Sequence, residues 1–233
     1  MSALVGTTRL VCFDMAGTTV ADDGLVEQAF TRALDEVDSI AIGRDTALRY
    51  VRDTMGESKI TVFRYLSGGD EAAARSLNGA FERAYELLVD AGLCAPIDGA
   101  EQLITKLRAA GVRTALTTGF SRATADRILS ALGWQDLTDL TLVPAEAGRG
   151  RPYPDLVLTA LLRLGVDDVR QVATVGDTAS DVLAGRRAGA AIVAGVRTGA
   201  HDAAALRAAG ATHVLNSVGD LETLLLPTDT PEE

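Results

Sequence analysis

One stretch, LVCFDMAGTT at residues 10–19, predicts both the architecture of this chain and the position of its site. Its first four residues are apolar, which is typical of a parallel strand that is buried on both faces. Asp14 then ends the strand, and open α/β sheets keep their sites at the carboxyl ends of strands. Gly17 allows a sharp turn, after which Thr18 and Thr19 offer hydroxyls and amides to an anion. The alternative is a strand that merely ends in a turn.

The composition limits the classes of partner. The 233 residues include 22 Lys and Arg against 32 Asp and Glu, and the net charge of −10 argues against nucleic acid or an anionic membrane as a partner. No apolar run approaches the roughly 18 residues of a membrane span, and residues 1–9 lack the pattern of a signal peptide. Cys12 and Cys94 form no metal or disulfide pattern. We therefore expect a cytoplasmic protein with reduced thiols.

The order of the predicted elements indicates two domains. Helical periodicity recurs near 26–37, 44–53, 57–66 and 70–91, and nothing strand-like appears between residues 20 and 96. Strands and helices then alternate, and Asp98 with Glu101 resembles a capping box that opens the first of these helices. We expect an α/β protein with a parallel sheet and right-handed crossovers. Its parts are a core of residues 1–20 and 97–226, a helical cap of residues 21–96, and a disordered tail of residues 227–233.

Polar residues follow four of the predicted strands or their connections. They are Asp14, the segment 117–119, the loop 148–154 and the segment 176–181. Any one of them could be ordinary turn chemistry. Because the carboxyl ends of parallel strands share one edge of a sheet, we expect all four to meet there.

Acidic residues at this edge indicate a metal site. Asp14 and Asp177 are predicted to hold Mg²⁺, a hard cation that takes a few carboxylates together with water and phosphate oxygens. Asp181 could make a second metal contact or cap the helix that begins beside it, and the sequence favours neither.

The same edge carries residues suited to a small phosphorus-containing substrate. Asp14 could attack phosphorus and form an aspartyl-phosphate. Thr118 and the amide of Gly119 could bind the phosphoryl oxygens, and Arg151 could supply a fixed positive charge. Together these groups predict phosphoryl transfer.

The order of these residues resembles that of the haloacid dehalogenase superfamily of aspartate-nucleophile hydrolases. The matching positions are Asp14, Thr118, Arg151, Asp177 and Asp181. The resemblance covers the chain up to the tail and implies a Rossmann-like core with an all-helical, C1-type cap inserted after the first motif. It also implies Mg²⁺ as the cofactor.

Most phosphatases of that superfamily carry a second aspartate two residues after the nucleophile, but this chain has Ala16 there. The motifs at 14–19 and 150–154 resemble instead the phosphonatase (phosphonoacetaldehyde hydrolase) branch. In that branch a cap lysine, three residues after a Met-Gly pair, forms a Schiff base with the substrate aldehyde. Met55, Gly56 and Lys59 match this pattern. The resemblance therefore adds Lys59 and Ala16 to the catalytic positions, Met55 to the substrate-binding positions, and Ala16 to the metal-binding positions. For Met55 the alternative is a methionine of the hydrophobic core.

Chemistry explains why Ala16 and Lys59 belong together. A C–P bond would release a carbanion unless lysine first converts the neighbouring carbonyl to an iminium, so that the carbon leaves as an enamine. Such a lysine needs a lowered pKa, which burial under the cap and nearby Arg151 or Mg²⁺ could supply. The alternative for Lys59 is an exposed helical lysine. Val62 stands where phosphonatase has a histidine that assists proton transfer, so we expect a phosphonatase-like protein.

Three functions stay open from the sequence. The first is Mg²⁺-dependent cleavage of the C–P bond of a small 2-oxo-phosphonate such as phosphonoacetaldehyde. The second is a phosphomonoesterase of the same fold, acting on a small phosphate ester. The third is a non-catalytic phosphate-binding protein that lost turnover with Ala16. Analogy with the family implies a homodimer formed through the cap helices.

Overall fold

Six parallel strands form one sheet in the order β3-β2-β1-β4-β5-β6. The computed structural model describes residues 8–226 except Asp38, so the predicted disordered tail, 227–233, lies outside the described residues. The strands are β1 Leu10–Asp14, β2 Arg113–Thr117, β3 Leu140–Leu142, β4 Val172–Gly176, β5 Ile192–Val196 and β6 His213–Leu215. The helices are α1 Leu25–Glu36, α2 Arg44–Asp53, α3 Lys59–Leu66, α4 Glu71–Asp90, α5 Ala100–Ala109, α6 Arg122–Leu132, α7 Pro144–Ala147, α8 Asp155–Arg163, α9 Ala179–Ala188, α10 Ala203–Ala208 and α11 Glu222–Leu225, with 3₁₀ turns at Val169–Gln171 and Val218–Leu221.

Strand β1 lies in the middle of the sheet and is buried along its whole length. Side chains alternate across a strand, so Val11 and Phe13 join the hydrophobic cluster on one face while Leu10 and Cys12 join the cluster on the other. The strand order reverses at β1, since β2 pairs on one side and β4 on the other. The carboxyl end of β1 therefore faces the crevice in which α/β sheets bind ligands.

Helices α1 to α4 follow β1 and form a separate layer above the carboxyl ends of the strands. Phe30, Phe63 and Phe81, from three of these helices, pack with ring centroids 4.7–6.1 Å apart. The chain enters and leaves this segment side by side, because the Ala21 amide donates to Ala95 O at 2.8 Å and the Ile97 amide donates to Thr19 O at 2.9 Å. The proposed domain boundaries at residues 20 and 97 stay a prediction.

The structure confirms the predicted α/β class, with its parallel sheet and helical insert. The predicted capping box at Asp98 is wrong: Gly99, in the left-handed region at φ 84°, occupies the N-cap of α5, and no side chain caps that end. Helix α3 begins at Lys59 and not at residue 57, because the preceding residues form a turn with Gly56 at φ 86°. None of the helices in the described part of the chain is long and apolar enough to cross a membrane.

Candidate active site

The four polar segments predicted to meet do lie together at the carboxyl edge of the sheet. Asp14 is the last residue of β1, Thr118 directly follows β2, and Asp177 directly follows β4. Arg151 reaches the same place from the loop between α7 and α8, where it contacts Asp14. All four residues are buried, with 1–5% of their surface exposed.

Three carboxylates and one guanidinium form the centre of the site. One oxygen from each of Asp14, Asp177 and Asp181 lies within 4.8 Å of the others. Arg151 Nη1 lies 2.6 Å from Asp14 Oδ1 and also contacts Asp181 Oδ1. The three buried carboxylates outnumber the one guanidinium that contacts them, and buried charges need partners. The donor set therefore fits a hard divalent cation such as Mg²⁺. Ala16 has no side-chain donor, so it could join such a site only through its main-chain carbonyl.

Neighbouring hydrogen bonds fix the acidic side chains. Asp177 Oδ2 accepts from the Ala200 amide at 2.8 Å, and Asp177 Oδ1 accepts from the Thr18 hydroxyl at 3.2 Å. Burial raises the pKa of Asp177, and the nearby Asp14 carboxylate raises it further. A cation beside Asp177 would stabilise its ionised form, because a positive neighbour favours the charged carboxylate.

Asp181 has a structural use for one of its oxygens. Its Oδ2 accepts from the Thr178 amide at 3.0 Å and from the Thr178 hydroxyl at 2.5 Å, which closes a capping box at the start of α9. Its Oδ1 faces Arg151 and the acidic cluster. The capping alternative is thus realised through one oxygen, and the metal contact stays a prediction for the other.

The predicted phosphate-binding residues differ in the donors they have available. Thr118 accepts at its hydroxyl oxygen from the Phe120 amide at 3.2 Å, which leaves the hydroxyl proton for another acceptor. Gly119 lines the same cavity. Thr18, in contrast, gives its hydroxyl proton to Asp177 and its amide proton to Met15 O. Its phosphate-binding role stays a prediction, and the structure gives it the task of orienting Asp177.

Lys59 is a buried lysine at the first position of α3, with 8% of its surface exposed. The alternative of an exposed helical lysine is therefore wrong. The whole sequence contains two lysines, Lys59 and Lys106, and the second is half-exposed and paired with Glu222. Burial first, and then the nearby Arg151 guanidinium, lower the pKa of Lys59 to about 8. Its Nζ lies 5.0 Å from the ring centroid of Phe120, a residue of the sheet domain.

The segment that carries Lys59 packs directly on the loops at the sheet edge. The Lys59 amide donates to Gly119 O at 3.3 Å. A methyl group added at Gly119 would lie 2.5 Å from Glu57 O, and one at Gly56 would lie 2.3 Å from Thr178 Oγ1. Only hydrogen fits at both contacts, so these glycines let the turn before α3 close over the acidic cluster.

The space enclosed between the helical layer and the sheet is small. Its volume is about 30 Å³, close to that of a single water molecule, and its walls include Asp14, Ala16, Met55 and Lys59. A substrate larger than this space would reach Asp14 only if the helical layer moved away from the sheet. Val62 does not reach this space, since it is 2% exposed within the hydrophobic cluster of the helices.

Sequence reasoning gave no role to several residues of the site, among them Asp22, Phe120 and Thr178. Asp22 and Phe120 line the cavity beside Lys59, and Thr178 both lines it and caps α9. The pair Thr178 and Asp181, a capping-box spacing after a strand, could have identified the last of them. Asp22 and Phe120 carry no motif, because their positions depend on how the helical segment folds back.

Comparison with known proteins agrees with this geometry. Residues 8–189 match the family model described as a haloacid dehalogenase-like hydrolase. A phosphonoacetaldehyde hydrolase of Bacillus cereus is 29% identical over 196 residues, covering 77% of this chain and 72% of the relative. A protein of the same name from Nitratidesulfovibrio vulgaris is 26% identical, covering 97% of this chain and 95% of the relative. The crystal structure of a phosphonoacetaldehyde hydrolase-like protein from Oleispira antarctica superposes with a TM-score of 0.80 at 25% identity, covering 94% of this chain and 92% of that one. Because the match to the family model includes the helical segment and every acidic residue of the site, the chain belongs to the haloacid dehalogenase-like hydrolase family.

Proposed function

We propose that this hydrolase cleaves the C–P bond of a small 2-oxo-phosphonate such as phosphonoacetaldehyde, with Asp14 as nucleophile and Lys59 as the Schiff-base lysine. One observation carries the proposal: the single buried lysine among the described residues and the strand-end aspartate line the same cavity. The names of the relatives from Bacillus cereus and Nitratidesulfovibrio vulgaris support the same substrate class.

Lys59 would begin the reaction. Its lowered pKa leaves roughly a tenth of the side chain as the neutral amine at pH 7, against less than a thousandth for an ordinary lysine. The amine adds to the substrate carbonyl, and loss of water gives an iminium. The iminium then accepts the electron pair of the C–P bond, so the carbon leaves as an enamine.

Asp14 would accept the phosphoryl group at the other end of the substrate. Thr118 and Gly119 would hold the phosphoryl oxygens while Arg151 balances their charge. Asp14, Asp177 and Asp181 would hold Mg²⁺, and the Ala16 carbonyl is a further proposed ligand. The ion would supply the positive charge that lets an anionic group approach the nucleophile. Met55 packs beside the reacting carbon, and Ala16 leaves room for the lysine-linked substrate. Water finally hydrolyses the aspartyl-phosphate.

Borohydride trapping tests the Schiff base. Reduction in the presence of phosphonoacetaldehyde should inactivate the enzyme and leave an adduct on Lys59, which mass spectrometry can separate from Lys106. Lys59→Met should abolish both the adduct and phosphate release, whereas Lys106→Met should change neither. C–P cleavage without an adduct on Lys59 would contradict the proposal.

A panel of small phosphate esters, assayed beside the phosphonates, tests the competing function. Turnover of an ester that survives Lys59→Met would favour the phosphomonoesterase. Tight binding of phosphate with no turnover in either panel would favour the non-catalytic alternative.

We further propose that the protein works in the cytoplasm, which the free thiols of Cys12 and Cys94 support. The homodimer stays a prediction.

A further inference from the structure

We propose that Asp22 is the proton carrier of this reaction: it protonates the carbon released from phosphorus and recovers a proton when the iminium is hydrolysed. The inference rests on the proposed C–P cleavage and adds to it a catalytic residue.

The proposed chemistry needs such a group. Once the C–P bond breaks, the enamine carbon must gain a proton before the product can leave. Ala16 cannot supply one, and Val62 is a hydrocarbon side chain buried among the helices. Both positions from which related enzymes would transfer protons are therefore without an acid in this chain.

The other polar groups of the site already have tasks. Lys59 nitrogen is part of the enamine, and Asp14 is bonded to phosphorus as an aspartyl-phosphate, at the moment when the proton is required. Arg151 does not lose its proton at any ordinary pH. Asp177 and Asp181 serve the proposed metal site. Among the described residues that line the cavity, Asp22 has the carboxyl group that serves neither as nucleophile nor as proposed metal ligand.

Asp22 is placed and held for this role. It lies just before α1, where its Oδ1 accepts from the Val26 amide at 3.0 Å and fixes the side chain toward the cavity. This bond uses an acceptor site of one oxygen, so the carboxyl group can still carry a proton on the other.

The charges around Asp22 come from several elements. Burial is the main influence and raises its pKa, which favours the protonated acid. The hydrogen bond from the Val26 amide and the charge of Lys59 oppose burial, and Asp14 acts in the same direction as burial. Tyr85 and Cys94, from α4 and the segment after it, are also close enough to interact with it electrostatically. Both keep their protons at neutral pH, because burial raises the pKa of each.

The proton balance closes over one turnover. The first iminium takes up one proton as it forms, hydrolysis of the aspartyl-phosphate by water releases one, and Asp22 handles the steps between. The protonated Asp22 carboxyl gives its proton to the enamine carbon, which forms the methyl group of a Lys59-linked iminium and leaves a carboxylate. Water adds to that iminium and passes its proton to the Asp22 carboxylate, forming a carbinolamine. The carbinolamine releases the aldehyde and the neutral Lys59 amine. The acid is then ready for the next substrate.

Asp22→Asn tests the assignment, because the amide oxygen can still accept from Val26 while the acid is lost. We expect the steady-state release of aldehyde to fall roughly 100-fold or more, the usual contribution of a positioned acid or base. The first-turnover burst of phosphate after an acid quench should remain, since C–P cleavage precedes the proton transfer. Asp22→Ser, which also keeps a capping oxygen, should behave in the same way.

Asp23→Asn is the matched control. Asp23 is exposed, and its φ of 42° is a conformation that asparagine tolerates, so this variant should match the wild type. Wild-type-like turnover of Asp22→Asn, or loss of the burst together with turnover, would overturn the assignment to Asp22. Either result would leave the proposed C–P cleavage by the wild type standing. Failure of the wild type to release phosphate from phosphonoacetaldehyde would instead overturn the proposed function and this inference with it.

Discussion

Replacing Lys59 with methionine should abolish activity and at the same time make the protein more stable. Methionine has similar length and flexibility, so it fills the space without a charge. The pKa of Lys59 is lowered from 10.5 to about 8, mainly by burial. That difference corresponds to roughly 3 kcal/mol of unfavourable free energy for holding the ammonium in the folded protein. A gain of about this size is expected from the variant at neutral pH.

The gain should depend on pH in a defined direction. Below pH 8 both the folded and the unfolded chain keep the proton on Lys59, so the full cost is present. Between about pH 8 and 10.5 the unfolded state binds more protons than the folded state, and the stability of the wild type therefore rises with pH. Above that range the amine is neutral in both states. The advantage of Lys59→Met should accordingly shrink between pH 8 and 10.5.

Denaturant unfolding of wild type and variant at a series of pH values measures the difference in their free energies of unfolding. The other titrating groups are common to both proteins, so their contributions cancel in that difference. Lys106→Met is the control, because Lys106 is exposed and forms a surface ion pair worth about 1 kcal/mol or less. If Lys59→Met were no more stable than the wild type at pH 7, or equally more stable at every pH, the reasoning from burial would be refuted.

Three further predictions concern closure, protonation and metal. Gly119→Ala places a methyl group against Glu57 O and should lower kcat/KM roughly 10- to 100-fold with little change in Tm. The control is Gly43→Ala, whose added methyl group meets no atom within 4 Å and should change neither kcat/KM nor Tm. For phosphonoacetaldehyde, kcat/KM should increase with pH up to about 8, since Lys59 reacts as the neutral amine; a flat profile from pH 6 to 9 would contradict this. Asp177→Asn should raise the Mg²⁺ concentration needed for half-maximal activity at least about 10-fold, because it removes a proposed ligand. It should also raise the Tm measured in EDTA, because it removes a buried charge. Unchanged Mg²⁺ dependence would exclude Asp177 as a ligand.

The helical layer has two opposing effects on the site. By closing over Lys59 it removes water from the ammonium and makes a neutral amine available near pH 7. The same closure leaves a space of about 30 Å³ beside Lys59. Under the proposed function, a phosphonate would need the layer to move before it could bind there. Under the proposed function, the closed arrangement would supply the neutral lysine and an opened one would admit the substrate.

The sequence by itself determined the sheet and the edge at which its polar residues meet. The apolar run before Asp14, the alternation of strands and helices after residue 97, and the rule that parallel strands share a carboxyl edge were sufficient, because each depends on local pattern. Local pattern was less reliable at element ends, where Gly99 and not Asp98 is the N-cap of α5. The spacing of Lys59 after Met55 and Gly56 indicated a role but left open whether the side chain is exposed.

Only the tertiary structure decided what surrounds Lys59. Its burial depends on the close approach of the turn before α3 to Gly119 and on Phe120, which lies 61 residues further along the chain. Asp22 entered the site for the same reason, since the segment before α1 lines the cavity only after the helices fold back over the sheet. Desolvation and the field of neighbouring charges set the pKa of a buried group, and both arise from residues that are distant in sequence.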